Sequence, residues 1–155
     1  YKRQVLQRVE RMLGMVAAEK GVAISGAVSE DAVALATDDD VHQILYNLME
    51  NAIKYSAPES GFVRVEASVQ DGQVVITVTD NGIGIPDEDL PRIFDRFYRV
   101  DKMRSREVGG TGLGLSIVKD TIEGRGGAIS AGHGPDGVGT TFTVRLPLAQ
   151  REEEA

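Results

Sequence analysis

Two asparagines four residues apart are the first residues in this chain whose types and spacing could do chemistry. Asn47 and Asn51 lie in a segment whose apolar residues recur at three- and four-residue steps, which predicts an amphipathic helix. On such a helix Asn47, Asn51 and Lys54 share one face beside the apolar stripe, and Tyr55 falls between the two. A half-buried carboxamide needs a hydrogen-bond partner, which either another protein group or a bound ligand can supply.

If the partner is a ligand, this face suits a magnesium ion and a phosphate group. Mg²⁺ prefers hard oxygen ligands, keeps several waters and is often shared with substrate phosphates, so one asparagine oxygen is a suitable protein ligand. An amide oxygen also avoids the repulsion that a second carboxylate would exert on phosphate. Lys54 would then donate to phosphate, and Tyr55 would form an aromatic wall for a base.

Asp80 is a second candidate, because it follows a valine-rich strand and precedes a glycine turn. An ionised carboxylate only accepts hydrogen bonds, so it favours a base with an exocyclic amine, as in adenine, over guanine, which carries a carbonyl there. Gly82 and Gly84, followed by Ile85, would let a flat ring approach the backbone. The alternative is a simple turn, since Asp-Asn-Gly is ordinary turn chemistry.

A second glycine turn precedes a predicted helix. Backbone amides at a helix N-terminus, together with a glycine turn, form an anion site that suits phosphate. The lack of a predicted strand before the glycines argues against a Rossmann turn, and the spacings of a P-loop and of a eukaryotic-type kinase loop are missing. The alternative is a flexible hinge. The residues of this turn are Gly110, Thr111, Gly112, Leu113, Gly114 and Leu115.

A basic cluster lies between the two turns in a chain whose net charge is −7. Such a local excess of cations suggests contact with a polyanion, and the alternative is a solvated loop. The cluster comprises Arg96, Arg99, Lys102, Arg104 and Arg106. Phe94, Phe97 and Tyr98 lie beside it, and anchoring in the core is the alternative for them.

Size and composition limit the possibilities for the whole chain. Its 155 residues, 41% of them apolar, suit one domain with one core. There is no cysteine, which excludes disulfides and thiolate metal sites, and the acidic balance argues against nucleic acid as the main partner. No apolar run reaches the roughly 20 residues of a membrane helix. Because the chain starts at Tyr1, we expect a fragment of a longer protein.

The pattern of elements predicts an α+β fold in which three helices pack on one mainly antiparallel sheet. An Asp-Gly hairpin signal at 70–72 joins two of the strands. Residues 74–78 are apolar at nearly every position, which predicts burial on both faces. The predicted helices cover residues 1–20, 38–56 and 110–123, with a short helical patch at 87–94, and the predicted strands cover 22–25, 33–36, 62–69, 73–79, 128–131 and 140–146.

Together these stretches resemble the ATP-binding catalytic domain of bacterial sensor histidine kinases, within the group that includes DNA gyrase, MutL and heat-shock chaperone ATPases. The family's motifs occur in order over nearly all of residues 1–148, and we expect 149–155 to be a tail. They are an N box at 47–55, a first glycine box at 80–85, an F box at 93–99, a second glycine box at 110–115 and a Gly-Thr element at 139–142.

The resemblance implies a two-layer α/β sandwich, the Bergerat fold, with a mixed, mainly antiparallel sheet of about five strands and a mobile ATP lid at 98–110. It implies that Asn51 holds Mg²⁺ and that Asp80 binds the adenine amine of ATP. By the same resemblance, Asn47, Lys54 and Arg99 meet the phosphates, Tyr55 and Thr140 lie at the base, and the nucleotide also contacts Gly82, Gly84, Ile85, Phe97, Tyr98, Gly110, Thr111, Gly112, Leu113, Gly114 and Leu115. The gyrase-like branch has a glutamate at the position of Asn47, and its absence favours phosphoryl transfer over hydrolysis.

The family's phospho-accepting histidine, which is followed by an acidic residue, is missing from this chain. His42 precedes Gln43 and His133 precedes Gly134, so we interpret His42 as a helix-surface residue and His133 as a turn residue. The resemblance therefore implies a cytoplasmic, monomeric fragment of a homodimeric, membrane-attached parent. The γ-phosphoryl group would go to the parent's histidine-bearing dimerisation domain and then to a response regulator. Two alternatives are a nucleotide-sensing module without transfer and a serine kinase of the anti-sigma type.

Overall fold

Three helices lie on one face of a five-stranded sheet. The computed structural model describes residues 2–28, 38–55, 61–82, 84–95, 114–134 and 137–147. The helices are α1 (Lys2–Lys20), α2 (Asp38–Tyr55) and α3 (Gly114–Gly124). The strands are β1 (Val22–Val28), β2 (Gly61–Gln70), β3 (Gln73–Asp80), β4 (Ala128–His133) and β5 (Thr140–Pro147), and a 3₁₀ helix (Leu90–Arg92) lies between β3 and α3.

The sheet has the order β1-β2-β3-β5-β4. β1 runs parallel to β2, and every other neighbouring pair is antiparallel. Asp71 and Gly72 join β2 to β3 with φ of +52° and +76°, the left-handed pair that a two-residue type I′ hairpin requires. The hairpin sets the register that places Val63 opposite Asp80.

The core forms where alternate strand residues meet the apolar stripes of the helices. Val65, Val78 and Phe142 lie side by side across the three central strands, and all are buried against the helices. The helices contribute residues that recur at helical spacing, among them Val9 and Leu13 of α1, Ile44 and Leu48 of α2, and Val118 and Ile122 of α3. The core therefore fixes the distance between α2 and the sheet, and it fixes which end of β3 lies next to α2.

The predicted fold class is confirmed, with differences in detail. The predicted helical patch at 87–94 contains only one 3₁₀ turn, because Pro91 cannot donate a backbone hydrogen bond. His133 is the last residue of β4 and pairs with Thr140, so its interpretation as a turn residue is wrong. Val75, on the sheet face opposite the core, is only 5% exposed, which agrees with predicted burial of this strand on both faces.

The predicted strand at 33–36, the lid at 98–110 and the tail at 149–155 lie outside the described residues. Among the helices of the described ranges, none is both long enough and apolar enough to cross a bilayer.

Candidate functional site

Asp80 ends β3 and faces the helices between Val63 of β2 and Thr140 of β5. Asp80 and Thr140 are each only 3% exposed. The backbone N–H of Gly82 donates to Asp80 Oδ1 at 2.8 Å. Burial raises the pKa of Asp80 to about 6, while the backbone amides of Gly82 and Thr140 and the charge of Lys20 act to lower it. At neutral pH this buried carboxyl is therefore mostly an ionised hydrogen-bond acceptor.

The backbone around Asp80 is in close contact with the turn between β4 and β5. A Cβ on Gly139, whose φ is +77°, would lie 1.9 Å from the Asp80 carbonyl oxygen, so only glycine fits. Gly84 also has a φ of +77°, and a Cβ there would lie 3.3 Å from the Gly139 carbonyl oxygen. Gly84, which was predicted to let a ligand approach the backbone, thus already faces protein backbone.

A side-chain contact joins the first glycine turn to β4. His133 Nε2 hydrogen-bonds with Asp87 Oδ1, which follows Pro86 in the turn after Gly84. Asn81 also fixes this loop, because its Oδ1 accepts a hydrogen bond of 3.0 Å from the backbone N–H of Phe62. The turn after Asp80 is therefore attached to β2 on one side and to β4 on the other.

Asn47 is oriented by a bond within α2. Its Nδ2 donates to the Gln43 carbonyl oxygen at 2.9 Å, and since a carbonyl only accepts, this contact fixes which side-chain atom is nitrogen. Its Oδ1 lies 3.5 Å from where a Cβ on Gly114 would be. Gly114 is the first residue of α3. The Asn47 oxygen therefore faces the N-terminus of α3, which follows the second glycine turn. Half-buried Asn51 lies one turn further along α2.

Two contacts hold α2 against α3. Thr121 Oγ1 donates to Gln43 Oε1 at 2.7 Å. Arg125 Nε donates to Asp40 Oδ2 at 2.6 Å. Gln43 thus binds α3 with its side chain and orients Asn47 with its backbone.

Lys20, the last residue of α1, contacts the end of α2. Its Nζ donates to the Ile53 carbonyl oxygen at 2.8 Å. Lys20, Gln43 and Thr121 were missed from the sequence. The four-residue spacing of Gln43 and Asn47 was a usable signal for Gln43, whereas no local pattern indicated the partners of Lys20 or Thr121.

The structure brings some of the predicted site residues together and leaves others undescribed. Asp80, Gly82, Gly84 and Thr140 meet at one end of the central strands, and Asn47 meets Gly114. Ile85 and Leu115 are partly buried and pack against the hydrophobic core. The side chains of Lys54 and Tyr55, and residues Phe97, Tyr98, Arg99, Gly110, Thr111, Gly112 and Leu113, lie outside the described part of the chain, so their roles stay predictions.

Comparison with known sequences agrees with these motifs. The sensor histidine kinase WalK of Bacillus subtilis is 47% identical over 118 residues, which are 75% of this chain and 19% of WalK. The sensor-like histidine kinase SenX3 of Mycolicibacterium smegmatis is 48% identical over 101 residues, 65% of this chain and 26% of SenX3. The chain thus spans about a fifth to a quarter of the length of these relatives.

Solved structures share the fold. Full-length ShkA in complex with AMPPNP has a TM-score of 0.80 at 35% identity, over 96% of this chain and 30% of ShkA. The catalytic domain of the histidine kinase ThkA has a TM-score of 0.80 at 25% identity, over 96% of this chain and 95% of that domain. Residues 36–150 match the model of a family described as histidine kinase-, DNA gyrase B- and HSP90-like ATPase. The chain therefore belongs to this ATPase family, as its ordered motifs had indicated.

Proposed function

We propose that this chain is the catalytic domain of a sensor histidine kinase, which binds Mg-ATP and transfers the γ-phosphoryl group to a histidine on a separate dimerisation domain. The observation that carries the proposal is a buried, ionisable carboxylate, Asp80, at the edge of a glycine turn. Similarity to ShkA, whose structure contains AMPPNP, supports a nucleotide ligand. The names of WalK and SenX3 support the reaction class.

The base end of the site follows from hydrogen-bond accounting at Asp80. A carboxylate offers about four acceptor positions. The backbone amides of Gly82 and Thr140 use two of them, which leaves capacity for the exocyclic amine of adenine. A guanine carbonyl at the same place would face a carboxylate with no donor between them, so the site rejects it. Thr140 and Tyr55 would lie beside the base.

The phosphate end of the site is formed by α2 and the start of α3. The Asn47 oxygen faces Gly114, and the N-terminus of α3 carries a partial positive charge that favours phosphate. Within the described residues no cluster of three or more histidine, cysteine or acidic side chains could hold a metal. A magnesium ion here would use the Asn51 oxygen together with phosphate oxygens, and it would neutralise phosphate charge.

The remaining predicted residues complete the proposal. Lys54 and Arg99 would donate to phosphate oxygens, and the turn at 110–115 would supply backbone amides. Phe97 and Tyr98 of the F box would contact the nucleotide, and residues 98–110 would form the lid. Rate enhancement would come from positioning and charge stabilisation, because the receiving imidazole is itself the nucleophile. By the same proposal the parent is a membrane-attached homodimer that passes the phosphoryl group to a response regulator.

The base assignment is tested by Asp80→Asn. Because the Gly82 N–H needs an acceptor, the introduced carboxamide would turn its nitrogen towards the base and oppose the adenine amine with a second donor. We expect ATP affinity to fall about tenfold to a hundredfold, the equivalent of roughly 1.5–3 kcal/mol for a hydrogen bond to a charged group. The ratio of GTP to ATP affinity, measured by calorimetry, should rise.

Asp71→Asn is the matched control, since Asp71 is exposed in the hairpin at the opposite end of β3 and should leave both affinities unchanged. Equal ATP affinity in Asp80→Asn and the unmodified chain would contradict the assignment. Failure of the unmodified chain to bind ATP at millimolar concentration, about the weakest affinity worth counting, would contradict the proposed function itself.

A further inference from the structure

Lys20 lies outside every motif of the chain. It contacts a backbone carbonyl in the last turn of α2, the helix that carries Asn47 and Asn51. α2 ends at Tyr55, so the Ile53 carbonyl lies in the last turn, where carbonyl groups generally have no partner within the helix. Lys20 Nζ fills that position at 2.8 Å. A cation there also complements the negative end of the helix dipole.

The same ammonium group acts on Asp80. Only Gly21 separates Lys20 from β1, where Val22 pairs with Gly61 and Ile24 pairs with Val63, the neighbour of Asp80. Gly61 presents no side chain between the start of β1 and the end of β3. The charge of Lys20 favours the ionised form of the Asp80 carboxyl, against the effect of its burial.

We propose that Lys20 is a positioning residue of the nucleotide site, which holds the last turn of α2 and gives the base-recognising carboxylate of Asp80 its cationic support. The inference rests on the proposed function for its statement that Asp80 recognises the base. The hydrogen bond of Lys20 to Ile53 does not depend on that statement.

The charge of Lys20 matters because Asp80 has a pKa close to neutral pH and accepts a hydrogen bond from the base only when it is ionised. A protonated carboxyl presents an O–H towards the adenine amine and loses an acceptor, so binding needs the ionised form. With a pKa of about 6, Asp80 is close enough to neutrality for a small change in local potential to alter the ionised fraction. Removing the charge of Lys20 raises that pKa, so the loss of ATP affinity is largest at low pH and vanishes as pH rises.

Within the described residues, the remaining groups that act on the Asp80 pKa are backbone amides. The amides of Gly82 and Thr140 bind its carboxyl and carry no charge. His133 lies beyond Thr140 in the register and is paired with Asp87. A His133→Gln background therefore separates this hydrogen bond from the effect of Lys20.

The test uses two substitutions that differ in charge but both keep a donor. Lys20→Gln retains an N–H for Ile53 and removes the charge, whereas Lys20→Arg retains both. Carbon-detected NMR of the Asp80 carboxyl in the whole chain, without nucleotide, gives its pKa directly. We expect Lys20→Gln to raise this pKa above its value in the unmodified chain, with or without His133→Gln, and Lys20→Arg to leave it close to that value.

Calorimetry with ATP at about pH 6 and about pH 8 gives the second readout. We expect the ratio of Kd in Lys20→Gln to Kd in the unmodified chain to exceed one at the lower pH and to be near one at the higher. Because the two proteins are compared at the same pH, titration of the ATP phosphates affects both Kd values equally and cancels from their ratio. An unchanged Asp80 pKa, or an affinity ratio equal at both pH values, would overturn the inference. An Asp80 pKa that shifts in a chain that binds no ATP would instead refute the proposed function.

Discussion

The carboxamide of Asn47 illustrates how single residues are set for chemistry in this chain. Its nitrogen is used by the Gln43 carbonyl, so its oxygen is directed to the start of α3. Asn51 is half-buried on the same helical face one turn later. The two asparagines therefore differ in role, with Asn47 oriented by its own helix and Asn51 left as the proposed metal ligand.

The metal assignment predicts a selective defect in Asn51→Ala. Removing the side-chain oxygen should abolish the gain in ATP affinity that Mg²⁺ gives, while affinity in the presence of a chelator should change little. We expect a loss of about tenfold or more in the magnesium-dependent part, as for a charge-assisted contact of roughly 1.5–3 kcal/mol. Calorimetry with and without Mg²⁺ measures both quantities.

Asn51→Asp is the matched control because it keeps a hard oxygen at the same distance from the backbone, and it should retain dependence on magnesium. If Asn51→Ala gains as much affinity from Mg²⁺ as the unmodified chain, Asn51 is not the ligand.

Residue-level prediction from the sequence was possible where the pattern is local. Asn47 and Asp80 were predicted as site residues because helical spacing and a strand-to-glycine junction are visible within a few residues. Lys20 and Thr121 were not, since their partners lie 33 and 78 residues away and are brought near only by packing. Glycine at position 84 was expected to leave room for a ligand. The closeness of Gly139, far along the chain, is a structural reason for glycine at the same position.

Between elements, the distance between α2 and α3 is the dimension that matters most for the proposed phosphate end of the site. Gln43 and Asp40, almost one helical turn apart, bind Thr121 and Arg125 of the α3 region. Because Gln43 also orients Asn47, a change in this spacing would move the asparagine oxygen relative to Gly114.

Thr121→Val tests this coupling with nearly unchanged side-chain volume. The loss of the hydroxyl leaves the half-buried Gln43 oxygen without its donor, so we expect the free energy of unfolding to fall by about 1–3 kcal/mol. ATP affinity should fall too, since α3 is no longer held at the same distance from Asn47. Urea denaturation and calorimetry measure the two effects.

Thr121→Ser restores the hydroxyl and should recover both values. A Thr121→Val protein that is less stable but binds ATP normally would show that the Gln43 contact supports the fold alone.

Element boundaries show the same division between local and distant causes. The Asp-Gly hairpin was correctly located because its left-handed backbone is a property of two adjacent residues. β1 runs three residues beyond the predicted 22–25, to Val28, because pairing with β2 supports it there although Ala27 is exposed. The patch at 87–94 shortened to a 3₁₀ turn at Pro91.

For the whole molecule, the α+β class and the ordered motifs were predictable because periodicity and spacing are written along the entire chain. The parallel pairing of β1 with β2 was not, since it depends on where α2 returns the chain to the sheet. The matched segment covers about a fifth of WalK, and under the proposed function the acceptor histidine lies on a second domain.

Mixing the chain with the histidine-bearing domain of a relative and γ-labelled ATP tests the transfer. We expect label on the second domain that is lost in acid and retained in base, as for phosphohistidine. Label stable to acid would favour the serine kinase alternative. ATP binding without any label would favour a nucleotide-sensing module. Asp80→Asn, which lowers ATP affinity, should lower the labelling rate at subsaturating ATP.

The close approach of Gly139 to the Asp80 carbonyl restricts how this protein can diverge. Any side chain at Gly139 would collide with the main chain at 1.9 Å, whereas Val138, its neighbour, is 53% exposed at the tip of the hairpin. Substitutions can therefore accumulate at the tip while the adjoining position stays fixed. Position 139 is far from Asp80 in the sequence. Main-chain atoms next to the carboxylate nevertheless require glycine there in every descendant that keeps this fold.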